Sequence, residues 1–527
     1  MKRITLLLVG ILCLPIFSYS GGIVNNQNQS AAYIRMFARD ASTDIDAVFF
    51  NPAGLTKLDD GFYLSLNYQY INQNKVVTSN YLNLANTPVD FEGKISVPIF
   101  PGVYAAYKTG KFAISFGWNP VGGGGGAVFD NGLPSFEIPV SDLAAGYSTA
   151  GIQGYSLDAY FEGTSVFWGY QLGASYEIND MFSVYLGARY ITVKNTYSGY
   201  LNDIALTTAG GPIPARDFVE GISDQLEASS NDIANYIALG YLNANDQFAD
   251  PTGIATLTQL GLYQSGMTNS QAATAFGQGA VVMDLNAALL RNQEADVEQT
   301  GSGITPIIGV NISPNEKLNI GLKYELKTEI EIENNTTQDF YVGLDETFQE
   351  VGMFPDGVKT RSDMPAMFAA GLDYKITDKL SVASGFHMYF DKSADYGRKL
   401  NGVHVDNDEV IDRNSTEFAI GFEYKASEKL LLSIGYLNTQ TGVTEDYQTD
   451  LSYSQHSNTV GFGGAYAITP IINMNVGFGY TVYNDAQKIY DYSNKLGQTI
   501  TTTEQYDKDN LFIAFGLDFS LWGKKSE

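Results

Sequence analysis

Cysteine is all but missing from this chain of 527 residues: the one copy, Cys13, lies in the first apolar stretch. Once that stretch is removed, disulfides and thiol chemistry are excluded. Histidine is scarce as well, with three copies, His387, His404 and His456. None stands in a recognisable nucleophile context, so no catalytic residue is assigned and an enzyme is not expected. Positive charge is short too, since 31 Lys and Arg face 58 Asp and Glu for a net charge of −27. Binding to phosphate backbones needs clustered Lys and Arg, so nucleic acid is excluded as a partner. The acidic excess is expected in solvated loops. The run Asp406-Asn407-Asp408-Glu409 lacks the glycine that a calcium loop requires, and neither metal nor cofactor is expected.

Long apolar runs are also lacking. Lys2 and Arg3, the apolar residues 4–17 and Ser18-Tyr19-Ser20 before Gly21 read as a secretory signal over 1–20. That run is too short for a spanning helix, which needs about 20 residues, and nothing longer follows. An exported chain of this kind is either soluble or a β-barrel.

Strand-forming residues are abundant: 35 Tyr, 30 Phe and 54 Gly, with charged residues at only 17%. Aromatics suit a pleated surface, and glycine permits bends and close approach. A mean hydropathy of −0.10 is too polar for a helical bundle. It fits a barrel, in which every second strand residue faces lipid.

Period-two alternation is the strongest pattern. Ile472, Met474, Val476, Phe478, Tyr480 and Val482 share one face; Asn473, Asn475, Gly477, Gly479 and Thr481 share the other. Phe418, Ile420, Phe422 and Tyr424 repeat the pattern, as do Leu511, Ile513, Phe515, Leu517, Phe519 and Leu521. Fourteen such runs fall at 61–73, 99–108, 110–119, 165–178, 181–195, 301–313, 316–333, 363–376, 379–392, 414–426, 428–440, 456–468, 470–484 and 509–522. Very short turns, among them Asn179-Asp180, Pro314-Asn315 and Thr377-Asp378, alternate with long connections, the largest at 196–300.

The expected fold is therefore all-β: a fourteen-stranded antiparallel up-and-down transmembrane barrel with both termini in the periplasm. Residues 61–527 form this barrel and 196–300 a large external loop. Arg189, Glu423 and Asp518 fall on the faces that carry Gly and Ser, hence the lumen. Pro306 conflicts with its place in strand six, because a closed barrel has no free edge. It marks either a bulge or a boundary shifted by a few residues.

Residues 21–60 precede the wall as a tail or a plug, with a helix-like stretch at 31–40. The insert 196–300 is partly helical. Phe218, Ile222, Leu226 and Ile233 have helix spacing, and a second helix is expected over 271–298. Its apolar faces either pack on each other or offer a landing groove to a hydrophobic ligand.

Asp40-Ala41-Ser42-Thr43, followed by Ala47-Val48-Phe49-Phe50-Asn51-Pro52-Ala53-Gly54-Leu55, resembles the plug of the FadL/TodX family of outer-membrane hydrophobic-compound transporters. The resemblance implies a hatch at 21–60, centred on Phe49, Phe50, Asn51, Pro52, Ala53 and Gly54. Pro52 fixes its own φ and biases Asn51 toward extended conformations, while Gly54 permits a tight bend. It also implies an inward kink at the third strand that opens the wall sideways. Gly117, Pro120 and Gly122 are the candidates, and the five glycines 122–126 are followed by no phosphate-loop Lys.

The implied function is passive uptake of hydrophobic small molecules, above all long-chain fatty acids, through the outer membrane of a Gram-negative-type cell. Exit would be lateral, into outer-membrane lipid. Arg35, Arg39 and Arg189 are candidates for a carboxylate head group, with internal salt bridges as their alternative role. A monomer is expected. The rival readings are a porin for polar solutes and, further off, a barrel enzyme.

Overall fold

The computed structural model describes residues 24–27, 29–344, 349–400, 403–493 and 499–521; the expected signal, 1–20, lies outside them. Two helices, α1 Ala31–Arg35 and α2 Ala47–Phe50, precede the wall. The first five wall strands are β1 Gly61–Ser79, β2 Val89–Thr109, β3 Phe112–Phe129, β4 Ile152–Glu177 and β5 Phe182–Thr208. Next come β6 Gln293–Asn315, β7 Leu318–Glu325, β8 Met367–Lys375, β9 Leu380–Tyr389 and β10 Ser415–Lys425. The last four are β11 Leu430–Gln440, β12 Ser457–Thr469, β13 Ile472–Tyr483 and β14 Thr499–Leu521. β14 pairs with β13 on one side and β1 on the other, which closes the antiparallel sheet on itself. The expected strand number and order are both present.

Outward positions carry large apolar side chains that no protein covers. Leu186 is 70% exposed, Leu172 61% and Ile304 61%, whereas their inward-facing neighbours Ser175, Arg189 and Thr305 are buried. Such a band is sustainable only in hydrocarbon, and closure leaves no unpaired edge within it.

Several strands run longer than the alternation alone shows. β2 begins at Val89 rather than 99, β3 ends at Phe129 rather than 119, and β4 begins at Ile152 rather than 165. β5 continues to Thr208 rather than 195, and β14 begins at Thr499 rather than 509. All the added residues lie at the end with the long connections. There both faces of a strand meet polar surroundings, and the alternation that marks a lipid wall fades.

β7, expected as one run over 316–333, breaks after Glu325, and a separate strand, Glu331–Gln338, resumes it. Pro306 on β6 accounts for the break. Its carbonyl accepts the Leu326 N–H at 3.0 Å, but its ring nitrogen has no hydrogen to return to β7. A hydroxyl bond between Thr305 and Thr328 and a bridge from Thr328 to Met364 hold the detour.

Helix α3, Pro134–Gly146, follows β3, while α4 Ala215–Ala238, α5 Pro251–Gln259 and α6 Asn269–Leu289 lie between β5 and β6. A capping box of Thr268 and Gln271 starts α6. The helix ends at Leu289 rather than 298, because β6 begins at Gln293. The expected helical stretch 31–40 likewise shortens to α1, since Met36 is already extended at φ −159°. The apolar faces of the insert meet one another: Val219, Leu226, Leu257, Phe276 and Met283 share one buried cluster.

If the exposed band lies in hydrocarbon, Leu172→Arg near its middle should cost about 2–4 kcal/mol. Equilibrium unfolding of the protein folded into phospholipid vesicles measures this, and a cost near zero would place Leu172 outside the bilayer core.

Candidate functional site

The N-terminal segment lies inside the barrel, its polar groups tied to wall strands on all sides. The backbone N–H of Ala31 donates to Asn67 on β1 at 3.0 Å, and Arg35 donates to Asn475 on β13 at 3.2 Å. Gln171 on β4 donates to the Val48 carbonyl at 2.7 Å, and Ser175 to that of Pro52 at 2.6 Å. Lys323 on β7 donates to the Phe49 carbonyl at 2.7 Å. His387 on β9 lies 2.8 Å from Asp40 and 2.9 Å from Glu417 on β10.

Lumen-face glycines make room for this segment. A Cβ at Gly371 would stand 2.5 Å from the Asp40 carbonyl carbon, and one at Gly477 2.9 Å from the Ala31 oxygen. Any side chain there would push the segment off the wall.

The Phe49–Gly54 stretch forms the centre of this packing. Phe49 lies beneath the Arg189 guanidinium at 4.9 Å and the Lys323 ammonium at 4.7 Å. Phe50 stacks on Tyr33 at 5.1 Å. The Asn51 amide donates to the Ser42 carbonyl at 3.0 Å and to Asn311 on β6 at 2.7 Å. Pro52 opens a short 3-10 turn, Pro52–Lys57, and Ala53 packs against Tyr185 and Ile307. A Cβ on Gly54 would stand 2.5 Å from the Asn51 amide nitrogen, which is why this bend takes glycine.

All three candidate arginines are engaged internally. Arg35 pairs with Glu423 and donates to Ser433 at 2.8 Å. Arg39 stays within its own segment, gripping Asp46 at 2.8 Å through two nitrogens, with Ser42 and Asp44. Arg189 holds Glu325 with two bonds, 2.6 and 3.0 Å, and donates to Gln171 at 2.7 Å. These are the salt bridges that the sequence left as the alternative to ligand binding.

Between β2 and β3 the ladder is interrupted. Pairing runs from Gly93–Phe129 to Ile95–Ala127, then stops until Val103–Trp118. β3 itself continues through Pro120 and the glycines, with register shifts against β4 between Pro120 and Gly122 and again before Gly125. Two prolines in the facing stretch, Pro98 and Pro101, cannot donate to a ladder. The N-terminal segment covers the interruption from inside. The Asn26 N–H donates to the Val121 carbonyl at 2.8 Å, and the Gly123 N–H to that of Val24 at 3.2 Å. A Cβ at Gly122 would stand 2.6 Å from the Val24 oxygen, so this cover needs glycine there; Gly117 instead faces Val48 and Tyr104.

This interruption borders a cavity of about 410 Å³, within the usual range for small-molecule sites. Val24, Pro101, Pro120 and Trp168 line it near the opening; Lys75, Tyr453 and Lys508 line it toward the long-loop end. Of these residues sequence reasoning singled out Pro120 and missed the others, although the Pro98/Pro101 pair was a readable signal for the break. Above the cavity, Phe129, Phe136, Phe161, Phe340, Met353 and Phe354 form an apolar cluster at the mouth. Beside it, burial pushes the Asp339 carboxyl up to about 6, although the Phe354 N–H donates to it at 2.9 Å.

These features define a closed antiparallel β-barrel whose N-terminal segment packs against the inside of its wall. The chain is a member of the outer membrane protein transport protein family (OMPP1/FadL/TodX), whose sequence profile matches residues 169–520. Among solved structures it is similar to a Pseudomonas aeruginosa FadL homologue at 13% identity and TM-score 0.58, covering 95% of this chain and 100% of that one. It is also similar to the Pseudomonas putida toluene transporter TodX, at 13% identity and TM-score 0.50 over 94% and 99% of the two chains. No curated protein sequence matches. The chain is thus an outer-membrane β-barrel of a family that transports hydrophobic compounds.

Arg39→Ala should strand Asp46 as an unpaired buried charge, a loss of about 3–5 kcal/mol. Hydrogen exchange should then rise across residues 31–58 and stay unchanged in β4 and β5. For Asp339 the folded value lies above the ordinary 3.8, so its contribution is full below that value and is lost as pH rises through about 6. Residues 339–344 and 349–354 should therefore be better protected at pH 4 than at pH 7, after correction for intrinsic exchange. Asp339→Asn should flatten that difference.

Proposed function

We propose that this protein carries hydrophobic small molecules, above all long-chain fatty acids, passively across the outer membrane. In this reading residues 21–60 act as a hatch, both termini lie in the periplasm, and the protein works as a monomer. Cargo collects at the apolar mouth, enters the cavity, and leaves sideways into lipid when the hatch withdraws from the wall. The observation that carries the proposal is the unpaired stretch between β2 and β3, which borders the cavity and is covered from inside by Val24–Asn26 and Gln29.

Lateral exit suits such cargo energetically. Each methylene kept out of water is worth about 0.8 kcal/mol, and a route into the bilayer preserves that gain where a water-filled pore would lose it. The polar bonds that hold the hatch can exchange for others, so withdrawal of a few residues at its start costs little of the remaining packing. Pro120, Gly122 and the neighbouring glycines are the kink that sets the opening.

In planar bilayers the intact protein should show little steady ion conductance, and a variant lacking residues 24–58 should conduct strongly. Uptake of radiolabelled palmitate and toluene by cells expressing the intact chain tests the cargo class. Large steady currents through the intact protein would refute a hatch-closed transporter.

A further inference from the structure

The inner arginines are each paired, but five lysines at the short-turn end of the barrel are not. Lys317 closes the turn between β6 and β7. Lys375 and Lys379 flank the turn between β8 and β9, and Lys425 and Lys429 flank that between β10 and β11. All five are exposed. Lys108 at the same end pairs with Asp60, and Lys323 in the lumen with Glu325. Among the described residues, these five have no carboxylate within ion-pair distance.

The chain builds the three turns alike. Asn315, Thr377 and Ser427 each accept, through the side chain, the N–H groups two and three residues further on. A lysine therefore stands at the same point of each turn. Strand pairing then sets lysines side by side: the Lys375 N–H donates to the Lys317 carbonyl and the Lys425 N–H to the Lys379 carbonyl, each at 2.8 Å. Like charges placed opposite one another repel. At about 4.8 Å between strands, the arc from β7 to β11 is about 20 Å wide. Its exposed carboxylates are Glu316, Asp378 and Glu428. Asp373 and Glu423 lie two residues further in, and Glu423 is taken by Arg35. The other turns at this end, 110–111, 178–181 and 470–471, contribute only Lys111 and Asp180. In a chain of net charge −27, positive charge thus gathers on one side of this rim.

Depth identifies what lies beside the arc. Tyr374 and Tyr424, the residues before Lys375 and Lys425, are exposed, and so are Leu372 and Phe422 of the apolar band two residues earlier. Tyrosines at the edge of such a band mark the head-group level of a leaflet. Lysines one residue beyond, about 3.3 Å further along the strand, are at the level of its phosphates, and their flexible stems carry the ammonium groups to them.

We propose that this lysine arc is a docking site for anionic phospholipid, whose phosphates it holds at the short-turn end. Clusters of about four to eight basic residues at a membrane surface recognise anionic lipid by this chemistry. The transport reading above makes that leaflet the periplasmic one, and only this assignment rests on it. The middle strand of the arc, β9, stands across the closed ring from β2, so lipid held there stays clear of the β2–β3 interruption.

The test is native mass spectrometry of the full-length protein in detergent micelles doped with equal amounts of phosphatidylglycerol and phosphatidylcholine. The intact protein should carry phosphatidylglycerol in preference by on the order of fivefold or more, the factor that one lysine near an anionic surface gives. Replacing all five lysines with glutamine should bring the ratio near one, and replacing them with arginine should keep it. Lys379→Gln/Lys425→Gln, a milder change for folding, should lower it. Lys194→Gln/Lys359→Gln, at the long-loop end, should leave it unchanged. Equal binding of the two lipids by the intact protein overturns the site and leaves the arc to a soluble acidic partner. A preference that survives the five glutamines, or vanishes with the five arginines, overturns it as well. The transport reading is judged separately, by palmitate uptake through the intact chain, whose absence overturns that reading and leaves the lipid site standing.

Discussion

The structure depends on one constraint: within hydrocarbon, a backbone N–H or C=O without a partner costs several kcal/mol. The wall meets it by closing β14 onto β1, and the two interruptions each receive a local remedy. Where β7 detours around Pro306, side-chain bonds and a single bridge to Met364 take over. Where β2 leaves β3, the chain's own N-terminal residues supply the missing donor and acceptor. The first remedy is built from the wall itself. The second is supplied by a separate segment of the chain, Val24 to Asn26, so the two remedies differ in kind.

The inner segment and the wall fit through apolar and polar contacts together: Ile34, Phe37, Val48 and Phe50 share one buried cluster with Tyr104, Phe167, Ile191 and Ala514 of the wall. Wall glycines let the backbone of residues 31–40 lie against the strands, while Asn, Gln, Ser and Lys side chains of the wall reach its carbonyls. Tyr33, Phe37, Phe49 and Phe50 form an aromatic patch within it. Contacts of this kind hold a segment in register yet exchange readily for other polar contacts.

Electrostatics divide the molecule in the same sense. The acidic excess lies largely on external loops and strand extensions, whereas the inner arginines are neutralised one by one by Glu423, Asp46 and Glu325. Lys75 and Lys508 instead lie over the Tyr453 and Tyr483 rings. The helical insert follows a different rule: its apolar residues are consumed in its own small core, and Phe136, Phe340 and Phe354 are likewise buried in a cluster beside the cavity.

Much of this was legible in the sequence, for a definite reason. A lipid wall imposes strict alternation on each strand, so Met474, Val476 and Phe478 announce their face without any knowledge of their neighbours. Fourteen runs, their order and their short turns follow from that local rule. The Phe49–Gly54 motif was legible through resemblance, and so was the interest of Pro120 with its glycines. What tertiary structure alone decided concerns pairs distant in the chain: Asp40 with His387, Arg35 with Glu423, Val24 with Gly122, Lys75 with Lys508. Closure of a barrel brings the first strand beside the last, and no local pattern records which inward side chains then face one another. The wall was written residue by residue; what it encloses was fixed only when the circle closed.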